Sequence, residues 1–123
     1  DVSVAVGQVP EFVQELSNVL SEQYPDFDVL WFGHIGDGNV HINVLKPADL
    51  SREAFYARCQ QVDALEFEAV ARFHGSVSAE HGVGLIKKPF LHHSRSEAEI
   101  QAMRASKQVF DPDRILNPGK IFD

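Results

Sequence analysis

The sequence predicts an α+β domain, an antiparallel sheet with helices on one face. Three observations predict it. Apolar residues alternate with polar ones over short stretches and recur at helical spacing between them. The segments follow in the order strand, helix, strand, strand, helix, strand, helix. An Asp-Gly pair, Asp37–Gly38, separates two β-prone stretches, a strong hairpin signal.

Val2, Val4 and Val6 share one face of the first strand, which Gly7 ends. Pro10 suits the first position of a helix. Phe12, Val13, Leu16, Val19 and Leu20 form its apolar stripe, and Pro25 with Asp26 stops it. Residues 27–45 read as strand, tight turn, strand, closed by Pro47. Ser51 caps a long helix carrying Phe55, Cys59, Val62, Ala69 and Phe73, which ends near His74 and Gly75. Residues 76–79 read as a short fourth strand, followed by a Gly-rich loop over 80–84. Ser96 and Glu99 make a capping box for a last helix through Ile100, Met103 and Phe110, stopped at Asp111–Pro112. Residues 115–123 are expected to be an extended docking tail. The first six elements match a ferredoxin-like split βαβ arrangement, with a C-terminal helix and tail added.

Length and composition fit one domain over 1–123 and exclude several function classes. Hydrophobic residues are 44% and charged residues 24% of the 123, as in globular proteins. Lys and Arg number 11 against 18 Asp and Glu, a net charge of −7, which argues against nucleic acid as a partner. No apolar run approaches the ~18 residues of a membrane span. The single cysteine, Cys59, excludes an internal disulfide and suits a reducing compartment. The chain opens on Asp1 within a strand-like pattern and lacks a signal-type segment, so we expect a segment of a longer protein.

The chemistry concentrates in two places. A two-residue turn at Asp37–Gly38 sets Ile35 opposite Val40 and His34 opposite His41. Opposed residues have Cβ atoms ~4.5–5.5 Å apart, so two imidazoles so placed can share one metal. Phe32 and Asn43 are expected on the histidine face, and Val29, Trp31, Ile35, Val40, Ile42 and Val44 on the core face. The same pair also fits a hydrogen-bonded surface pair with no ion. The second place is Glu80-His81, between a strand and a Gly-x-Gly loop. Adjacent side chains on extended backbone point opposite ways, so the two divide the labour. Glu80 completes a two-His-one-carboxylate set with open positions, and His81 stays free as a proton acceptor. His92-His93 read as surface residues and His74 as a helix end. Lys87-Lys88 read as a solvated loop or as an attractor of anionic substrate. Cys59 and Trp31 read as core. No phosphate-binding loop, nucleophile elbow or nicotinamide fingerprint is present.

Three segments carry a resemblance. Gly33-His34-Ile35-Gly36-Asp37-Gly38-Asn39-Val40-His41 resembles the first C-terminal motif of FAD-linked oxidases in the vanillyl-alcohol oxidase superfamily. Ser78-Ala79-Glu80-His81-Gly82-Val83-Gly84, with Lys87 three residues on, resembles their second motif, and Leu116-Asn117-Pro118-Gly119-Lys120 their closing motif. Order and spacing cover nearly the whole chain. The resemblance implies the C-terminal part of such an enzyme, with residues 1–110 in the substrate (cap) domain and 111–123 returning to a missing FAD-binding domain. It implies FAD, held mainly by that other domain, and a divalent metal, usually zinc, on His34, His41 and Glu80. It implies His81 as the base beside the flavin, Asn43 as a substrate contact and Asn117 as a flavin contact. His41-Ile42-Asn43-Val44 and residues 76–80 look closest to the D-2-hydroxyglutarate dehydrogenase branch, with D-lactate and glycolate dehydrogenases as alternatives. The expected partners are a small 2-hydroxy acid and an electron acceptor left open. The expected location is the cytoplasm in a bacterium or the mitochondrial matrix in a eukaryote. The FAD-binding domain and the family's upstream arginine and lysine lie outside these residues, so the chain alone is expected to be inactive. A stand-alone metal-binding module and an interaction domain with structural histidines are the competing classes.

Overall fold

The computed structural model describes residues 1–122. The regular elements are β1 (Val2–Ser3), α1 (Val9–Gln23), β2 (Asp28–Phe32), β3 (Asn39–Leu45), α2 (Arg52–Arg72) and α3 (Glu97–Phe110). Short 3-10 turns cover Val6–Gln8, Ile35–Asp37 and Lys88–His93. The strands form an antiparallel sheet in the order β1-β3-β2. Strand β3 therefore lies between β1 and β2, as the split βαβ pattern requires.

Apolar spacing sets the packing. Phe12, Leu16 and Leu20 of α1 are buried, as are Val62, Phe67, Ala69 and Val70 of α2. They meet Val2, Val4 and Val40 in one core, against which Val29, Trp31, Ile42 and Val44 pack. Each fully buried Val, Leu or Phe contributes roughly 1.5–3 kcal/mol relative to exposure. The Ser51 and Ser96 caps form as expected, the second as a complete capping box. A smaller cluster of Leu91, Ile100 and Phe122 joins α3 and the tail to the loop before it.

Four local expectations are corrected. The first strand ends at Ser3, and Val6 lies in a 3-10 turn, 51% exposed. Residues 76–79 form no strand and touch β1 through one antiparallel bridge, Ser3 to Ser76. Ser76 instead donates its hydroxyl to the Ser78 carbonyl, a local turn that draws the backbone off the ladder. The tail is not extended but coiled, with left-handed backbone at Arg114, Asn117 and Ile121; its last residue, Asp123, lies outside the described residues. The hairpin register also differs.

Phe32, not His34, pairs with His41, and Trp31 pairs with Ile42. The connection runs over residues 33–38 and contains a 3-10 turn rather than a two-residue turn. Tertiary contact explains this. The Val4 N–H donates to the Gly38 carbonyl, and a Cβ on Gly38 would stand 2.0 Å from the Val4 carbonyl oxygen. Val4, directly after β1, thus presses against the loop, which closes with Gly38 left-handed at φ +72°. Ile35 rides on the turn, 62% exposed, and is not on the core face.

Candidate functional site

The shifted register still gathers the expected donors. His34 leaves β2 on the turn, His41 sits in β3, and Glu80 arrives from the loop after the Ser76 bridge. One possible ligand atom from each lies within 4.8 Å of the others. His41 Nε2 is 2.8 Å and His34 Nδ1 3.5 Å from the same oxygen, Glu80 Oε1. The hydrogen bond from His41, followed by that from Asn39, holds the Glu80 carboxyl below the usual carboxylate range.

Asn39 stands at the centre of this group, although the sequence reading passed it over. Its Nδ2 donates to Glu80 Oε1 at 2.6 Å and lies 3.4 Å from both His34 Nδ1 and His41 Nε2. The residue is 4% exposed, and its Oδ1 is buried without a hydrogen-bond partner. A signal was available: Asn39 lies two residues before His41 on one strand, so both side chains share a face.

Two imidazoles and one carboxylate whose ligand atoms lie within 4.8 Å of one another fit a divalent transition-metal ion. Such a set leaves positions open for further ligands. Ligation through His41 Nε2 requires that nitrogen unprotonated, so uptake there displaces a proton.

His81 completes the cluster. Its ring centre is 5.2 Å from that of His41, and its side chain is 64% exposed. Its Nδ1 lies 3.3 Å from the Asp1 carboxylate. The other Asp1 oxygen, Oδ2, accepts the N–H groups of Ala79, Glu80 and His81 at 3.0, 2.8 and 3.1 Å. Lys87 bonds Asp1 Oδ1 and the Asp1 carbonyl, so it is neither a solvated loop residue nor aimed at a ligand. Burial lowers the Lys87 ammonium from its usual value.

Phe32 and Asn43 share the His41 face of the sheet, as expected, with Phe32 and His41 stacked 4.9 Å apart. Asn43 is exposed two residues beyond His41. Asn117 lies on the tail with φ +47°, and its carbonyl accepts from the Lys120 N–H. No hydrogen bond among the described residues joins it to the histidines. His93 is half-buried, with its ring centre 4.1 Å from that of His92 and the planes tilted by 36°. No described helix is long and apolar enough to cross a membrane.

The α+β domain brings two imidazoles, a carboxylate and a third imidazole together where the central strand β3 meets the loop carrying Glu80 and His81. The chain belongs to the FAD linked oxidases, C-terminal domain family, which matches residues 1–121. It is 53% identical over 122 residues to the D-2-hydroxyglutarate dehydrogenase of Stutzerimonas stutzeri, covering 99% of this chain and 26% of that protein. It is 55% identical over 123 residues to the D-2-hydroxyglutarate dehydrogenase of Xanthomonas citri, covering 100% and 26%. A D-lactate dehydrogenase of Anaerostipes hadrus is 36% identical over 121 residues, covering 98% and 25%. The chain thus spans about a quarter of the length of these curated relatives.

Proposed function

We propose that this chain is the substrate-side part of an FAD-dependent dehydrogenase that oxidises a D-2-hydroxy acid, D-2-hydroxyglutarate first among them, to the 2-oxo acid. The observation that carries the reading is the convergence of His34, His41 and Glu80 beside His81. Two relatives above 50% identity, both D-2-hydroxyglutarate dehydrogenases by name, support the choice of substrate.

The reaction removes a hydride from C2 and a proton from the hydroxyl of the substrate; FAD, bound mainly by another domain, supplies hydride acceptance. His34, His41 and Glu80 would hold a divalent cation, zinc by the family resemblance, and it would supply Lewis acidity toward substrate oxygens. His81 takes the hydroxyl proton. Its Nδ1 faces Asp1, so Nε2 is the nitrogen left to accept. Asn43, on the His41 face, hydrogen-bonds the substrate. Asn117 meets the flavin from the tail.

Anaerobic flavin reduction in the whole-length enzyme tests the reading. His81→Asn should slow reduction by D-2-hydroxyglutarate about 10²–10⁴-fold with little change in substrate affinity. An unchanged reduction rate would remove His81 from the proton transfer. Faster reduction by D-lactate or glycolate than by D-2-hydroxyglutarate would move the substrate to the other branch.

A further inference from the structure

We infer that Asp1 is a positioning residue, whose carboxylate, clamped by Lys87, fixes both Glu80 and His81 in place. This rests on the roles proposed above for Glu80 and His81. Three successive N–H groups, those of Ala79, Glu80 and His81, converge on one Asp1 oxygen. The other oxygen meets His81 Nδ1 and the Lys87 ammonium. The Asp1 side chain is 1% exposed, so its carboxylate is buried and is met there by the Lys87 ammonium and the three N–H groups.

The consequence is geometric. The segment carrying Glu80 and His81 has no strand to hold it, because only Ser76 bridges to β1. Beyond it, Gly82 and Gly84 are both left-handed. Without a carboxylate at position 1, three adjacent N–H groups would lose their acceptor and the loop its fixed course. Asp1 precedes β1 directly, so its side chain ties the loop backbone at 79–81 to the start of β1, the strand that pairs with β3 beside His41. Partners behind metal ligands act in this way, by fixing the direction of the ligand. Lys87, three residues after the Gly-x-Gly turn, closes the loop back onto the same carboxylate.

The test uses the whole-length protein with Asp1→Ala, Asp1→Asn and Lys87→Met, read by amide exchange and by zinc affinity in chelator competition. Asp1→Ala should speed exchange at residues 79–81 while α1 and α2 exchange as before, and should weaken zinc about 10- to 100-fold. Asp1→Asn keeps an oxygen acceptor and should restore most of the protection at 79–81. Lys87→Met should speed the same three amides although Asp1 is intact, so the inference stays testable if Asp1→Ala does not fold. Unchanged exchange at 79–81 in both Asp1→Ala and Lys87→Met would overturn it, as would an Asp1→Asn protein as unprotected as Asp1→Ala. If the unsubstituted protein takes up no zinc, the metal reading fails and amide exchange alone decides the role of Asp1.

Discussion

Phe32 stands directly across the ladder from His41, and their rings stack 4.9 Å apart with planes 6° from parallel. The imidazole is therefore held from one side by an aromatic face and from its Nε2 end by Glu80 at 2.8 Å. Phe32 is 54% exposed, so its place on the sheet owes little to burial. Its contribution lies in fixing the plane of His41. Such pairs contribute ~0.5–1.5 kcal/mol beyond area burial. Phe32→Ala should weaken zinc at the cluster about 2- to 10-fold, while Phe32→Tyr keeps the affinity. Chelator competition on the purified variants checks both.

Two glycines of one motif should respond very differently to the same substitution. Gly38 is left-handed, and an added Cβ would collide with the Val4 carbonyl; nothing lies within 4 Å of a Cβ on Gly36. Left-handed backbone costs an L-residue roughly 1–2 kcal/mol before any clash. Gly38→Ala should therefore lower stability by at least about 2 kcal/mol, with Gly36→Ala inside about 0.5 kcal/mol. Urea denaturation of the pair measures the difference.

The tail has its own pH dependence. Asp111 is buried, and its carboxylate accepts from Lys107 and from the N–H groups of Ile115 and Leu116. The Lys107 ammonium, then those N–H groups, hold its carboxyl below the ordinary 3.8. A carboxyl depressed in the folded state adds stability that is present above the unfolded value and lost as pH falls through the folded one. The Ile115 and Leu116 amides should keep their bonded NMR shifts down to pH 3.8 and lose them only as pH falls further. Asp111→Asn should abolish that titration and leave the tail less protected at neutral pH.

The meeting of His34, His41 and Glu80 was legible in the sequence, from a hairpin that returns one histidine toward the other and a Gly-rich loop carrying the carboxylate, and the hairpin register was not. The register failed because it is decided by Val4 pressing on Gly38, a contact 34 positions apart that no local pattern contains. The fourth strand failed for the opposite reason, since the Ser76–Ser78 hydrogen bond is local and outcompetes the ladder. Helices α1, α2 and α3 were readable from apolar spacing and from their Pro10, Ser51 and Ser96 starts. Asp1 left no signal at all, because its three acceptor bonds reach residues 78 to 80 positions away. Lys87 was misjudged with it, for a lysine in a Gly-rich loop looks solvated until its buried partner is known.

Diffraction from zinc-soaked crystals at the zinc absorption edge tests the proposed metal ligation by His34, His41 and Glu80 most directly. One anomalous peak bonded to His34, His41 and Glu80, absent from His41→Ala crystals, is the result expected. Zinc-soaked crystals with no peak among those three side chains, or with the same peak surviving His41→Ala, would contradict it.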